Sequence, residues 1–156
     1  MENKYVCSVD IGGTKIATAI MEYPADGSVP HPVFEAEVPT EEGGEAVFQR
    51  IEASIKAALE VNPDVEVLGV GIGAAGVVDP KTGAIAYANE IMPGWSGVQL
   101  GPRLREDLGL PVAVVGDVQA HALGEAHWGV GKGKFSVLCL GIGTGIGGAY
   151  VENGRV

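Results

Sequence analysis

The stretch Asp10-Ile11-Gly12-Gly13-Thr14-Lys15 constrains this chain more than any other. An apolar run, Tyr5-Val6-Cys7-Ser8-Val9, leads into it, and a second, Ile16-Ala17-Thr18-Ala19-Ile20-Met21, leads out. Both have the length of a strand, so the glycine pair predicts a tight turn between two adjacent strands. Glycine permits a positive φ there and leaves no Cβ between its N–H groups and a ligand. Thr14 adds a hydroxyl, Lys15 a cation and Asp10 a carboxylate at the strand end. Backbone donors close to a carboxylate suit a phosphate chain carrying Mg²⁺. On these six residues alone, a hairpin turn with a capping aspartate is the competing reading.

The rest of the chain narrows the choice. Its 156 residues are enough for one domain with a core. Twenty acidic against 10 basic residues give a formal charge of −10, which argues against nucleic acid as a partner. No apolar stretch reaches the length of a membrane span and no long apolar region precedes Asp10, so neither membrane insertion nor a signal peptide is expected. A cytoplasmic protein follows. Cys7 and Cys139 each sit in an apolar run and read as buried free thiols. The 25 glycines are about twice the usual share, yet they cluster at the ends of apolar runs, where a backbone turns or approaches a ligand.

In chain order, residues 33–38 predict a third strand that closes an antiparallel meander. Residues 41–60 predict the best helix, with Phe48, Ile51, Ile55 and Leu59 on one face. Residues 65–74 read as a strand, followed by turns at Ala75–Pro80 and Lys81–Gly83 and a short strand at 84–88. A loop runs from Asn89 to Trp95. Pro102 opens a helix that Gly109 and Pro111 stop. Residues 112–115 are a fully apolar strand, and Gly116-Asp117 leads into an alanine-rich helix at 118–128. Residues 129–134 read as a hinge and 135–140 as a buried strand. Gly141-Ile142-Gly143-Thr144-Gly145-Ile146-Gly147-Gly148 follows, then strand character resumes. This order predicts an α/β fold with a mixed sheet flanked by helices. The second strand–glycine–strand unit echoes the first and predicts an internal duplication.

Two segments fit G-x-G-x-x-G, one starting at Gly71 and one at Gly143. A dinucleotide fingerprint needs a helix directly after the glycines. Turns and strands follow here instead, which excludes a nicotinamide or flavin site.

Together these motifs resemble the ROK sugar kinases (repressor, open reading frame, kinase) of the actin/hexokinase/Hsp70 superfamily. Asp10–Lys15 resembles the first phosphate motif and Gly141–Gly148 the second. Leu110-Pro111-Val112, Asp117 and Ala122-Leu123-Gly124-Glu125 resemble the segment with the catalytic aspartate. Asn89 and Pro93-Gly94-Trp95 resemble the sugar-side loop. The resemblance implies a ribonuclease-H-like fold and ATP-dependent phosphorylation of a hexose or amino-hexose hydroxyl. Residues 1–133 would form the N-terminal lobe, and 134–156 the opening β-hairpin of a second, mostly missing lobe.

By the same resemblance Asp117 is the catalytic base and also a substrate contact, and Asp10 holds Mg²⁺ through water. Gly12, Gly13, Thr14 and Lys15 cradle the phosphates of ATP, and Gly143, Thr144 and Gly145 clamp the nucleotide from the other lobe. Gly76 lets the backbone approach the sugar, and Asn89 hydrogen-bonds its hydroxyls. Trp95 reads as a core or lid-base aromatic. His121 and Glu125, four apart on one helix face, lack a third metal ligand. His31 reads as loop and His127-Trp128 as packing at a helix end. Sugar and nucleotide are the expected partners, with self-association or a homodimer through the apolar face of an isolated lobe.

Two departures stand out. The family places Asn before the catalytic Asp, and here that residue is Gly116; the family's proline before Gly76 is Ala75. The family's E-x-G-H sugar motif, its zinc site and its adenine pocket lie beyond residue 156, so no zinc site is expected and the polypeptide alone is not expected to be a competent kinase. The competing readings are the sugar-sensing part of a ROK repressor and a non-catalytic sugar-binding module.

Overall fold

The computed structural model describes residues 2–41, 43–90, 92–142 and 146–156. Nine strands and three helices lie among them. The first three strands, β1 (Lys4–Ile11), β2 (Lys15–Tyr23) and β3 (His31–Pro39), form an antiparallel meander. Helix α1 (Gly44–Glu60) carries the chain to β4 (Val67–Ala74), which pairs parallel with β1. A small antiparallel ribbon follows, β5 (Val77–Val78) with β6 (Ile85–Tyr87). Helix α2 (Leu100–Leu108) then returns the chain to β7 (Val112–Gly116), parallel to β4. The resulting sheet has the order β3-β2-β1-β4-β7, a mixed sheet of the ribonuclease-H-like kind.

Alternation decides what each sheet face covers. Cys7, Val9 and Ile11 of β1, Ile16 and Ile20 of β2, and Val70 and Ile72 of β4 point to one side and are buried with Val47, Phe48, Ile51 and Ile55 of α1. Leu100 and Leu104 of α2 close the same core over Val112 and Val114. The one buried polar side chain among the described residues, Thr18, shares a hydrogen bond with Ser54 of α1 (2.8 Å). Arg103 ties the two helices, forking onto both Glu45 oxygens at 2.8 Å and lying over the Phe48 ring. Gly44 opens α1 at a point where a Cβ would overlap the carbonyl of Gly94, so only glycine lets the helix start against that loop.

Helix α3 (Asp117–His127) stands on the opposite face and carries a second two-stranded sheet, β8 (Ser136–Ile142) with β9 (Ile146–Glu152). Ala122, Ala149 and Val151 form the small core between them.

Several expectations are corrected. The strand at 135–140 is not buried throughout. Only Val137, Cys139 and Gly141 turn toward α3, while Phe135, Leu138 and Leu140 are exposed, as are Ile142, Ile146 and Tyr150. Cys139 is accordingly half-buried, whereas Cys7 is fully buried. Residues 129–134 are held to the end of α3: the N–H groups of Gly129 and Gly131 bond to the Glu125 carbonyl, and Val130 N–H donates to the Glu125 carboxylate (3.0 Å). His31 is the first residue of β3 rather than loop. Both later helices begin slightly earlier than their sequence signals, at Leu100 and Asp117.

Candidate active site at the carboxyl ends of the parallel strands

Strands β1, β4 and β7 run parallel, so their C-terminal ends share one edge, where open α/β sheets bind ligands. The edge brings together most of the residues singled out from the sequence. Asp10 is exposed near the end of β1 and is in register with Gly73 of β4. Asp117 follows the end of β7 and is the first residue of α3. A Cβ placed on Gly73 would lie 3.8 Å from Asp10 Oδ1, 3.6 Å from Asp117 Cα and 3.1 Å from the Ala120 methyl. Gly73 therefore lets α3 approach the sheet and sets the two aspartates on either side of one backbone position. Both border a groove of about 990 Å³ between the open sheet face and α3.

Asp117 Oδ1 accepts the N–H of Val118 (2.8 Å). One carboxylate oxygen thus fixes the side chain at the helix start, and the second remains for chemistry. Gly116 has an extended backbone (φ −63°, ψ 150°), and its N–H donates to Gln119 Oε1 at 2.9 Å. This is the return half of a capping box; the forward half is absent because glycine has no side chain.

The β1–β2 turn is closed by the Gly12 N–H on the Lys15 carbonyl (2.9 Å). Gly12 does not adopt a positive φ, contrary to the sequence expectation; its lack of a Cβ matters instead, since one would lie 3.3 Å from that carbonyl. Thr40 straps this turn from outside, its hydroxyl donating to the Gly12 carbonyl (2.7 Å) and its N–H to the Thr14 carbonyl (3.0 Å). Thr40 was not anticipated; the only local signal is a hydroxyl directly after the proline that ends β3. Lys15 is committed elsewhere. Its ammonium pairs with Glu37 of β3 (2.6 Å), whose carboxylate holds the lysine pKa above its ordinary value.

The sugar-side loop is built on Trp95, which is completely buried and donates its indole N–H to the Ala75 carbonyl (3.1 Å). It is a core aromatic, not a platform. Gly76 has φ +101°, and a Cβ there would lie 2.6 Å from the Tyr87 carbonyl oxygen. Its glycine is required by backbone packing independently of any ligand. Ser96 accepts the N–H of Ala88 (2.8 Å) and so anchors the entry to Asn89, which is exposed and whose carbonyl accepts from Met92 N–H (3.1 Å). The Gly76 turn and the Asn89 loop are thereby tied together beside the ends of β4 and β7. Gly143, Thr144 and Gly145 lie outside the described residues.

His121 and Glu125 line the groove on α3, but Glu125 is engaged as a cap on Val130. His127 bonds the Leu123 carbonyl and packs on Trp128, as its place at the helix end implied. Among the described residues no cluster of three His, Cys, Asp or Glu could hold a metal ion, and no helix is long and apolar enough to cross a membrane.

Residues 6–156 match the ROK family. The chain is 36% identical over 148 residues to a glucokinase of Streptomyces coelicolor, covering 95% of this chain and 44% of that protein. The crystal structure of a ROK family glucokinase from Streptomyces griseus, in complex with glucose and AMPPNP, superposes with a TM-score of 0.81 at 34% identity, over 97% of this chain and 45% of that one. A ROK family transcriptional regulator, a homologue of the E. coli MLC protein, has the same fold (TM-score 0.82, 23% identity, 97% of this chain and 37% of that one). The chain spans slightly under half the length of the two glucokinases.

Proposed function

The chain belongs to the ROK family, and on that premise we propose that it supplies the first lobe of an ATP-dependent kinase acting on a hydroxyl of a hexose or amino-hexose. Residues 1–133 are assigned to that lobe and 134–156 to the opening hairpin of a second. The observation that carries this reading is the placement of Asp10 and Asp117 on either side of Gly73, at the carboxyl ends of the parallel strands. The glucokinase likenesses support sugar phosphorylation. A cytoplasmic setting, where ATP is available, accompanies it.

Phosphoryl transfer depends on positioning and charge neutralisation. With one oxygen held by Val118 N–H, the other oxygen of Asp117 accepts the proton of the sugar hydroxyl. That hydroxyl oxygen then bonds to the γ-phosphorus while the bond from phosphorus to the β,γ-bridging oxygen breaks, leaving ADP. Gly76 and Asn89 border the sugar, and Gly12, Gly13 and Thr14 face the phosphates. Lys15, held by Glu37, is assigned to the sheet surface and not to the phosphates.

Asp10 fits a magnesium site. Its carboxylate is exposed and accepts no hydrogen bond from a described residue, and Mg²⁺ commonly keeps its waters and uses one or two carboxylates beside substrate phosphate. Bound there, the ion would neutralise charge on the phosphate chain.

Titration of the ¹⁵N-labelled chain with D-glucose, followed by backbone amide shifts, tests the reading. Shifts are expected at Gly76, Asn89 and Asp117. Saturable shifts confined to other elements would contradict it.

A further inference from the structure

The two aspartates at this edge, when ionised, can only accept hydrogen bonds. A sugar hydroxyl that gives its proton to Asp117 also presents lone pairs, and neighbouring hydroxyls need donors as well as acceptors. Directly before Asp117, where the family resemblance expects an asparagine, Gly116 offers no side chain. The space is nevertheless not open. A Cβ on Gly116 would lie 3.3 Å from Gln119 Oε1, 3.7 Å from its carboxamide carbon and 3.8 Å from its Cγ. A carboxamide already stands against the position, delivered from one helical turn further on.

The orientation of that carboxamide follows from its partner. Backbone N–H only donates, so the Gln119 atom 2.9 Å from Gly116 N is the oxygen. The –NH₂ group is the end left over, on an exposed side chain two residues after Asp117 in the first turn of α3. We infer that Gln119 is a specificity-determining residue that replaces the side chain missing at 116 and donates from Nε2 to a hydroxyl of the sugar whose proton Asp117 accepts. Gly116 and Gln119 are then one unit: the glycine leaves room for the longer residue, and the glutamine returns an amide to the site. This deepens, and rests on, the sugar-kinase reading above.

A glutamine that merely caps α3 and one that also binds sugar are separable. Gln119→Glu keeps an acceptor for the Gly116 N–H and places the usual capping-box residue at the third helical position, where negative charge is favourable. It removes the donor and adds a negative charge without removing the cap. The double variant Gly116→Asn with Gln119→Ala moves the carboxamide to 116, whose extended backbone an asparagine adopts without strain. Calorimetric titration of D-glucose into the 156-residue chain is expected to show Kd raised about tenfold or more by Gln119→Glu, as for a lost hydrogen bond in a binding site, with an unchanged melting midpoint. The double variant is expected to return Kd to within about threefold of the parent. In the parent chain, the side-chain NH₂ resonances of Gln119 are expected to shift on glucose addition, a readout that needs no variant to fold. Glucose binding that is equal in parent and Gln119→Glu, with unmoved Gln119 NH₂ resonances, overturns this inference and leaves the sugar-kinase reading standing. No binding of any hexose or amino-hexose by the parent removes that reading and this inference together.

Discussion

Asp10 and Asp117 flank Gly73, with Asp10 Oδ1 3.8 Å and Asp117 Cα 3.6 Å from where the Gly73 Cβ would be. The first aspartate is placed by strand register and the second by the start of a helix, so their proximity depends on how closely α3 approaches the sheet. Ala120 is the methyl that the missing Cβ would meet, at 3.1 Å.

A side chain at 73 should therefore separate the aspartates. Gly73→Val is expected to push α3 outward and to weaken glucose binding at least about tenfold, the order seen when a binding group is misplaced by an ångström or less. Calorimetry on the folded variant, with circular dichroism to confirm the helix content, checks it. Unchanged affinity would show that the spacing of the two carboxylates is immaterial.

Gly76 has a structural reason to be glycine that is separate from ligand approach. Its φ of +101° and the 2.6 Å approach of a Cβ to the Tyr87 carbonyl predict that Gly76→Ala destabilises the chain by about 1–3 kcal/mol. Urea denaturation measures this without any ligand. A midpoint equal to the parent's would mean that the turn rearranges freely.

The fold was legible where its signal is local. The β1–β2 turn, the meander and α1 follow from period and glycine placement, and α1 buries Phe48, Ile51 and Ile55 as its spacing required. What could not be read depends on which distant backbone passes by. Nothing near Gly44 announces Gly94, and nothing near Gly73 announces Ala120 or Asp10. The strand at 136–142 was misjudged because an unbroken apolar run carries no alternation to show that one face is open. Asp10 and Asp117 could be singled out because each lies where a strand gives way to a turn or a helix; Thr40 and Gln119 could not, because their partners are backbone atoms of the turn and helix start they hold.

Burial gives Cys7 a pH signature. Desolvation of the thiolate raises its pKa from 9.0 to about 11. A group whose folded pKa is raised contributes stability that is complete below the unfolded value and is lost as pH rises through the folded one. Folding stability is thus expected to decline between about pH 9 and 11, by on the order of 3 kcal/mol from this group, and Cys7→Ser or Cys7→Ala should flatten that part of the profile. At pH 8 a thiol reagent should modify half-buried Cys139 well before Cys7. Modification of Cys7 first would contradict its place in the core.

The outer face of β8–β9 sets Leu138 opposite Tyr150 and Ile142 opposite Ile146, all exposed. Contiguous apolar surface of this kind promotes association. The 156-residue chain is expected to self-associate with rising concentration, and Leu138→Lys with Leu140→Lys to shift it toward monomer in sedimentation velocity. A parent that stays monomeric at high concentration would remove the expectation.

The most direct test of the central claim is isothermal titration of hexoses into the chain and into Asp117→Asn and Asp117→Ala. The asparagine keeps an oxygen for the Val118 N–H, so the helix start is preserved while the proton acceptor is lost. The account predicts saturable binding of at least one hexose to the parent, weakened about tenfold or more by Asp117→Ala and to a lesser degree by Asp117→Asn. Binding that is absent for every hexose tested, or identical in all three proteins, would contradict it.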